Sequence, residues 1–536
     1  MMQDFTSSPG GNKTAKTGGL IGWFLSWRTP GRILVILAAL ATLLRLFYAE
    51  ENWRGKRDWE TYKHQMEAKG VELDWDKFIP PPVPDDQNFA MTPFLAPIFD
   101  FNPRPLAPGQ SPWRNEEGLA QVTNFASAFS STDEAWRGGV WQQTFRMTDL
   151  EDCLLLLARQ TNSDATKPSF TTRTEAATAV LGALEQFKPV LDELRAASRR
   201  PYSRFNISYH DEDPAAILVP HLAPLRRLSR VLQVRASAEL ALGKTEAAFA
   251  DAGFMLFVAE SIHNEPLLIS HALRLNILRA AQQIIWEGLA DHRWSDAQLR
   301  EFQARLQKIS LLKDLYRPMM GERAAFGIRF FEYVRNHPNG FRDVLSQTDA
   351  DRMASALLIA PAGWLYQEEI SCQRLYGESV FSGFDPQSTQ IHPRIIDDNR
   401  NRLEKGRATA FSAVIHHTVF AQWLVPNLYQ IVQNTAVAQT SVDQTFLACA
   451  LERYWTVNGK FPETLDSLVP QFIDKVPADI CGGQPLKYRL ADNHRFTLYS
   501  VGWNEKDDGG AVVMDKWGRS IDRAQGDWVW PEYPGK

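Results

Sequence analysis

The chain is poor in the residue spacings that usually announce chemistry. It has only four cysteines in 536 residues, Cys153, Cys372, Cys449 and Cys481. Four are too few for a disulfide framework, and none sit in the C-x-x-C spacing of a metal site. There is no H-E-x-x-H helix, no G-x-S-x-G elbow and no G-x-G-x-x-G dinucleotide turn. Gly243-Lys244-Thr245 imitates the end of a phosphate loop, but Ala238 stands where the loop's first glycine is required. A formal charge of -5 over this length supplies no basic excess for a phosphate backbone, so no nucleic-acid partner is expected. No repeat of 34 residues or similar period is found.

What is present is ample core material. The chain is 44% hydrophobic and 23% charged, the balance of a folded protein, and long enough for several domains. The 17 tryptophans are assigned to cores.

The stretch Ile33–Leu44 carries no charge, and its apolar character extends past Arg45 to Tyr48. From Ile33 to Tyr48 a helix measures about 24 Å, against about 30 Å for a hydrocarbon core. Trp27 and Arg28 at one end, and Arg45 and Tyr48 at the other, suit the membrane interface. Phe47-Tyr48-Ala49 lacks the small residue wanted three positions before a signal-peptide cleavage site, which favours an uncleaved anchor over residues 31–49. Lys13, Lys16, Arg28 and Arg32 precede the span, placing residues 1–30 in the cytoplasm and the bulk on the extracytoplasmic side. Arg54, Lys56 and Arg57 follow closely and blunt that asymmetry. The membrane is therefore an expected partner. A second charge-free stretch, Ala408–Val442, contains His416, His417, Pro426 and several amides, so it is expected to be a buried helix of the soluble part.

Residues 50–148 read as a charged helical stalk ending at Gly70, then a proline-rich arm. Ile79-Pro-Pro-Pro-Val-Pro-Asp-Asp86 forces an extended course, because each proline fixes its own φ and biases its neighbour away from helix. Phe89, Phe94, Phe99 and Phe101 favour an arm that wraps over a loose linker. Residues 149–440 read as a helical body, with apolar positions three and four apart from Leu154 to Leu194. Its clearest pair is Leu225–Leu242 and Thr245–Glu260, an alanine-rich hairpin joined at Gly243-Lys244 and locally like a tetratricopeptide hairpin. Further helices are predicted near 266–288, 296–311, 319–335 and 350–358, an irregular stretch over Gln387–Asn399, and a long helix beginning near Arg402.

Residues 441–536 form a small α+β module. Phe446, Leu447, Ala450, Leu451 and Tyr454 share one helical face, and Asn458-Gly459 stops the helix. A short second helix is predicted from Phe461-Pro462 to Pro470. Leu486, Tyr488 and Leu490 alternate with Lys487 and Arg489, as in a half-exposed antiparallel strand, and Phe496–Val501 is its partner. The expected fold class is thus mainly α: one transmembrane helix, an irregular arm, a helical-hairpin body and a small antiparallel sheet.

Over residues 441–512 the chain resembles the major pseudopilins of type II secretion. The likeness rests on the long helix, the Tyr454, Gly459 and Pro462 step, the small sheet and the Ser500-Val-Gly502 and Asp507-Asp-Gly509 loop. With Glu51-Asn-Trp-Arg-Gly-Lys-Arg57, Ile79–Asp86 and Leu498-Tyr-Ser-Val-Gly-Trp-Asn504, it also resembles large, uncharacterised, membrane-anchored bacterial proteins of the planctomycete and verrucomicrobial kind, which carry a pseudopilin-like tail. The resemblance implies a cell-envelope address and no biochemical activity. A prepilin has glutamate at the fifth mature position, whereas the fifth residue after Gly31 is Ile36, so pilin processing is not implied.

In pseudopilins the acidic loop can hold calcium. Here Glu505, Asp507 and Asp508, with Gly509-Gly510 and Asp527, offer hard oxygen ligands, although a solvated acidic turn accounts for the same residues. Cys449 and Cys481 share the module and would bridge in an oxidising compartment; two buried thiols are the simpler reading. His210-Asp211-Glu212-Asp213 with His221 is the densest polar cluster, and a loop before a helix explains it as well as chemistry does. No residue is assigned as catalytic, cofactor-binding or metal-ligating, and no cofactor is expected. The expectation is a membrane-anchored scaffold or binding protein with protein partners in the envelope. A secretion or pilus accessory and an unrecognised envelope hydrolase are the alternatives.

Overall fold

Helix α1 runs from Thr29 to Ala68, 40 residues without a break. At 1.5 Å per residue it is about 60 Å long. This computed structural model describes residues 29–101, 111–127, 146–159, 165–337, 360–385, 389–405, 410–492, 495–518 and 520–531. The first half of α1 leaves Leu34, Val35, Leu37, Leu40, Leu43, Leu46 and Phe47 exposed, while Trp59 and Tyr62 in its second half are buried. Among the described residues it is the one helix long and apolar enough to cross a membrane. The expected span and stalk are therefore one helix. Nothing between Arg45 and Arg57 breaks it, and Gly70, at φ +76, ends it. Of its two glycines, Gly55 faces Gly363 of a distant helix.

From Val71 to Phe101 the chain lies against the helical body in four short 3-10 turns, at Trp75–Lys77, Asp85–Gln87, Phe89–Met91 and Ala96–Phe99. Phe89, Phe94, Leu95 and Phe99 are buried there. Asn88 pins this course: its Nδ2 donates to the Arg204 carbonyl at 2.7 Å and its Oδ1 accepts from the Arg204 amide at 2.8 Å.

The body contains α2 (Glu116–Ser127), α3 (Leu150–Arg159), α4 (Arg173–Leu184), α5 (Lys188–Ala197), α6 (Leu222–Ala241), α7 (Thr245–Glu260), α8 (Leu268–Ala290), α9 (Asp296–Leu306), α10 (Leu311–Ala324), α11 (Phe330–Asn336) and α12 (Ala362–Arg374). The α6–α7 hairpin turns at Gly243, φ +70, where the sequence places it. Ala236, Ala238, Ala248, Ala252 and Ala259 are fully buried, so α6, α7 and α8 pack closely. The helix expected over 319–335 starts earlier, at Leu311, accommodates Pro318, and passes through a π-helical turn at Ala325–Arg329 before α11. The helix expected over 350–358 lies outside the described residues.

The stretch expected to be irregular over Gln387–Asn399 is instead largely ordered. A two-residue hairpin pairs β1 (Phe384–Asp385) with β2 (Gln390–Ile391), and α13 spans Pro393–Lys405. Its many charges hid two apolar anchors, Ile391 and Ile396, both buried. Pro393 opens the helix, where its missing N–H is not needed.

After α14 (Ala410–Ile415), helix α15 runs 40 residues from Val419 to Asn458, straight through position 441. Leu428, Tyr429, Val432 and Ala436 are buried, as expected of a core helix. Thr418 at its start makes no side-chain cap. The cap comes from α12: the Glu368 carboxylate accepts from the amides of Val419 at 3.0 Å and Phe420 at 3.1 Å. Gly459, at φ +70, closes the other end.

The chain then makes one 3-10 turn, Leu465–Leu468, shorter than the helix expected to reach Pro470. Strands β3 (Lys487–Asp492), β4 (Arg495–Ser500) and β7 (Trp528–Val529) form an antiparallel sheet, and β5 (Val512–Met514) pairs with β6 (Ile521–Gly526). Lys487 pairs with Tyr499 and Leu490 with Phe496. Gln444 of α15 donates to the Trp528 carbonyl at 2.6 Å, and one continuous apolar core extends from Trp75 to Trp530.

Candidate functional site

A cleft of about 750 Å³ opens between the last turns of α1, helix α10 and the segment following α12. Its position follows from the packing of α1 on α12. Asn52 accepts from the Gly363 amide at 2.8 Å, and Gln367 donates to Asp58 at 3.1 Å. Trp59, Tyr62, Leu73, Ile328 and Ile370 form a small second core beside the cleft.

Two π-helical turns flank it: Ala325–Arg329 after α10 and Leu375–Val380 after α12. Such turns carry an extra residue and recur at functional sites. They follow Arg323 and Arg374 almost directly. Gln373 locks the first of these arginines. Its Oε1 accepts from Arg323 Nε at 2.6 Å, and its Nε2 donates to the Arg323 carbonyl at 3.2 Å. Gly327 leaves the space, since a Cβ there would lie 2.4 Å from Gln373 Nε2.

The electrostatics of the cleft are one-sided. Lys69, Arg323 and Arg374 line it, and among the described residues no carboxylate does. Arg323 is held by an amide rather than an acid, and burial lowers its pKa. The Arg374 guanidinium lies 5.9 Å from the centre of the Tyr62 ring, a cation–π distance. Gln65 adds one polar amide; the rest of the lining is mainly apolar or aromatic, with Met66, Val71, Met320, Phe381 and Phe384, and Tyr316 packs 6.0 Å from Phe381. No histidine, cysteine or serine lies among the described lining residues. The cations, the amide and the aromatic side chains are groups suited to recognising a ligand.

The polar clusters noted in the sequence do not converge here or elsewhere. His210 is exposed, 3.5 Å from Asp76, and Asp213 caps the Ala215 amide at 2.9 Å. His221 is separate from them, fully buried, stacked 4.2 Å from Phe205 and 2.8 Å from Glu265. His416 is exposed, while His417 is half-buried at φ +53.

In the acidic loop each carboxylate meets a protein partner. Glu505 pairs with Arg394 at 2.6 Å, Asp507 accepts from the Tyr499 hydroxyl at 3.0 Å, and Asp508 from Asn504 at 3.0 Å. The Gly509 amide and the Tyr499 hydroxyl hold Asp507 below the usual carboxylate range. Asp527 is buried and accepts from the Gly510 amide at 2.6 Å; its burial raises its pKa. No group of three or more metal-ligating side chains occurs among the described residues. Cys449 and Cys481 are buried and unpaired, and burial pushes both thiols up.

The cleft residues escaped sequence reasoning because they come from positions 62 to 384 with no local spacing to betray them. Arg323 gave no signal either, since it follows Glu322 in a helix that also carries Lys313, Asp314 and Arg317. Comparison with known proteins finds no matching family model, no matching curated protein and no matching solved structure.

Proposed function

We propose that this chain is a membrane-anchored, envelope-facing binding protein that performs no catalysis. The observation that carries the reading is the division of α1: its first half exposes apolar side chains, and its second half is fixed to the body at Gly55 and Gly363. An exposed apolar patch of this length is costly in water and is covered by a bilayer. The cations Lys13, Lys16, Arg28 and Arg32 support a cytoplasmic N-terminus. The likeness of residues 441–512 to pseudopilins supports an envelope address.

Alkaline extraction of membranes tests the anchor: the chain stays in the pellet, and release into the supernatant refutes it. Protease added to spheroplasts tests sidedness. Digestion of residues 60–536 is expected, and their protection would reverse the orientation.

A further inference from the structure

We propose that the cleft beside the end of α1 binds an amphipathic anion, one carboxylate, sulfonate or phosphate head joined to an apolar or aromatic body. The site does not rest on membrane placement of α1, because all its walls belong to the folded part of the chain.

Three observations converge. Lys69, Arg323 and Arg374 bring three positive charges to one cleft without a lining carboxylate among the described residues. Like charges gathered at a low-dielectric wall repel, and an anion that enters is held by charge-assisted hydrogen bonds. Arg323 is buried and oriented by Gln373, so its guanidinium is set in place before any ligand arrives. Such preorganisation reduces the entropy lost on binding.

The remaining walls select the body of the ligand. Phe381 and Phe384 contribute aromatic surface, and Met66 and Met320 are flexible side chains that adapt to irregular apolar shapes. A volume of about 750 Å³ falls within the range of small-molecule sites and is too large for a bare oxyanion. The cleft begins at Tyr62, fourteen residues past Tyr48, so it lies about 21 Å along the helix from the end of the apolar span. A lipid still embedded in the bilayer does not reach it. The ligand is a soluble acid or an amphiphile that has left the membrane.

The test is calorimetric titration of the full chain in phosphatidylcholine nanodiscs. Four probes are used: 1-naphthoate, dodecyl phosphate, the uncharged 1-naphthylmethanol and inorganic phosphate. Saturable one-to-one binding of 1-naphthoate or dodecyl phosphate is expected. The uncharged probe should bind at least about tenfold more weakly, the scale of one lost charge-assisted contact, and bare phosphate at least about tenfold more weakly because it buries no apolar body. Tighter binding of 1-naphthoate assigns a soluble aromatic acid, and tighter binding of dodecyl phosphate assigns a lipid-derived ligand. Arg374→Gln and Lys69→Gln alter exposed side chains, so both variants should fold with an unchanged midpoint and lose affinity for the anionic probes. No saturable binding of either anion, equal binding of the uncharged probe or of phosphate, or unaltered affinity in the double variant would overturn the proposal. None of these results bears on membrane extraction, so the site and the anchor fail independently.

Discussion

Gly55 and Gly363 meet backbone to backbone. A Cβ added to Gly55 would lie 2.5 Å from the Gly363 carbonyl oxygen, and one added to Gly363 would lie 2.0 Å from the Glu51 carbonyl oxygen. No rotamer relieves either clash, because both obstacles are main chain. Helices α1 and α12 therefore touch at a point where only glycine fits.

Gly363→Ala is expected to destabilise the protein by about 1–3 kcal/mol, the usual scale of overpacking. The gain in helix propensity is at most about 1 kcal/mol and does not compensate. Gly182, in α4, has open space around it. Gly182→Ala should therefore stabilise by up to about 1 kcal/mol. Urea denaturation of both variants should move the midpoints in opposite directions.

Glu368 governs a pH effect. Burial raises its pKa from 4.5 to about 7, and the two amides it caps pull only partly the other way. Between those values the folded chain keeps a proton that the unfolded chain has released, so stability falls as pH rises through the window. Burial moves Glu322 and Asp443 in the same direction, each to about 7. His271, buried against Thr435 and drawn down to about 3, acts oppositely and weakens the fold as pH drops below 6.5. Burial raises Glu239 and Glu369 as well, so five groups outweigh one. The thermal midpoint should decline from pH 5 to pH 7.5, and Glu368→Gln should flatten that decline.

Glu287 is an acceptor surrounded by donors. It accepts from the Thr148 amide at 2.8 Å, the Thr148 hydroxyl at 2.7 Å, Gln283 at 2.7 Å and Ser237 at 2.5 Å, with Arg173 at 3.4 Å. Its side chain is almost wholly buried. Glu287→Ala should cost about 3 kcal/mol, since several buried donors lose their partner at once. It should also release α3 at its start, so limited proteolysis between residues 146 and 159 should quicken.

Calcium followed by excess chelator should leave the thermal midpoint unchanged. Glu505, Asp507, Asp508 and Asp527 already turn to Arg394, Tyr499, Asn504 and the Gly510 amide. Gathering them round an ion would break those bonds. A reproducible upward shift with calcium would show that the loop rearranges to bind it.

Local patterns carried much of the fold. Gly243 and Gly459 marked real helix ends because both need a left-handed backbone, and the alternation from Leu486 to Leu490 marked a real strand. What stayed hidden was tertiary. Gln387–Asn399 read as irregular because Ile391 and Ile396 are sparse anchors whose burial depends on distant partners. The cap of α15 was invisible because Glu368 lies fifty-one residues before Val419. The cleft was hidden for the same reason, as its cations come from the turn after α1, from α10 and from α12.

The Glu368 cap has a mechanical consequence. Helix α1 grips α12, α12 holds the start of α15 through Glu368, and α15 holds the sheet through Gln444. Each link is a helix tied to the next by a side chain bonded to main chain. A displacement of α1 would therefore have to strain or break the bonds of this linkage before it left the sheet unmoved.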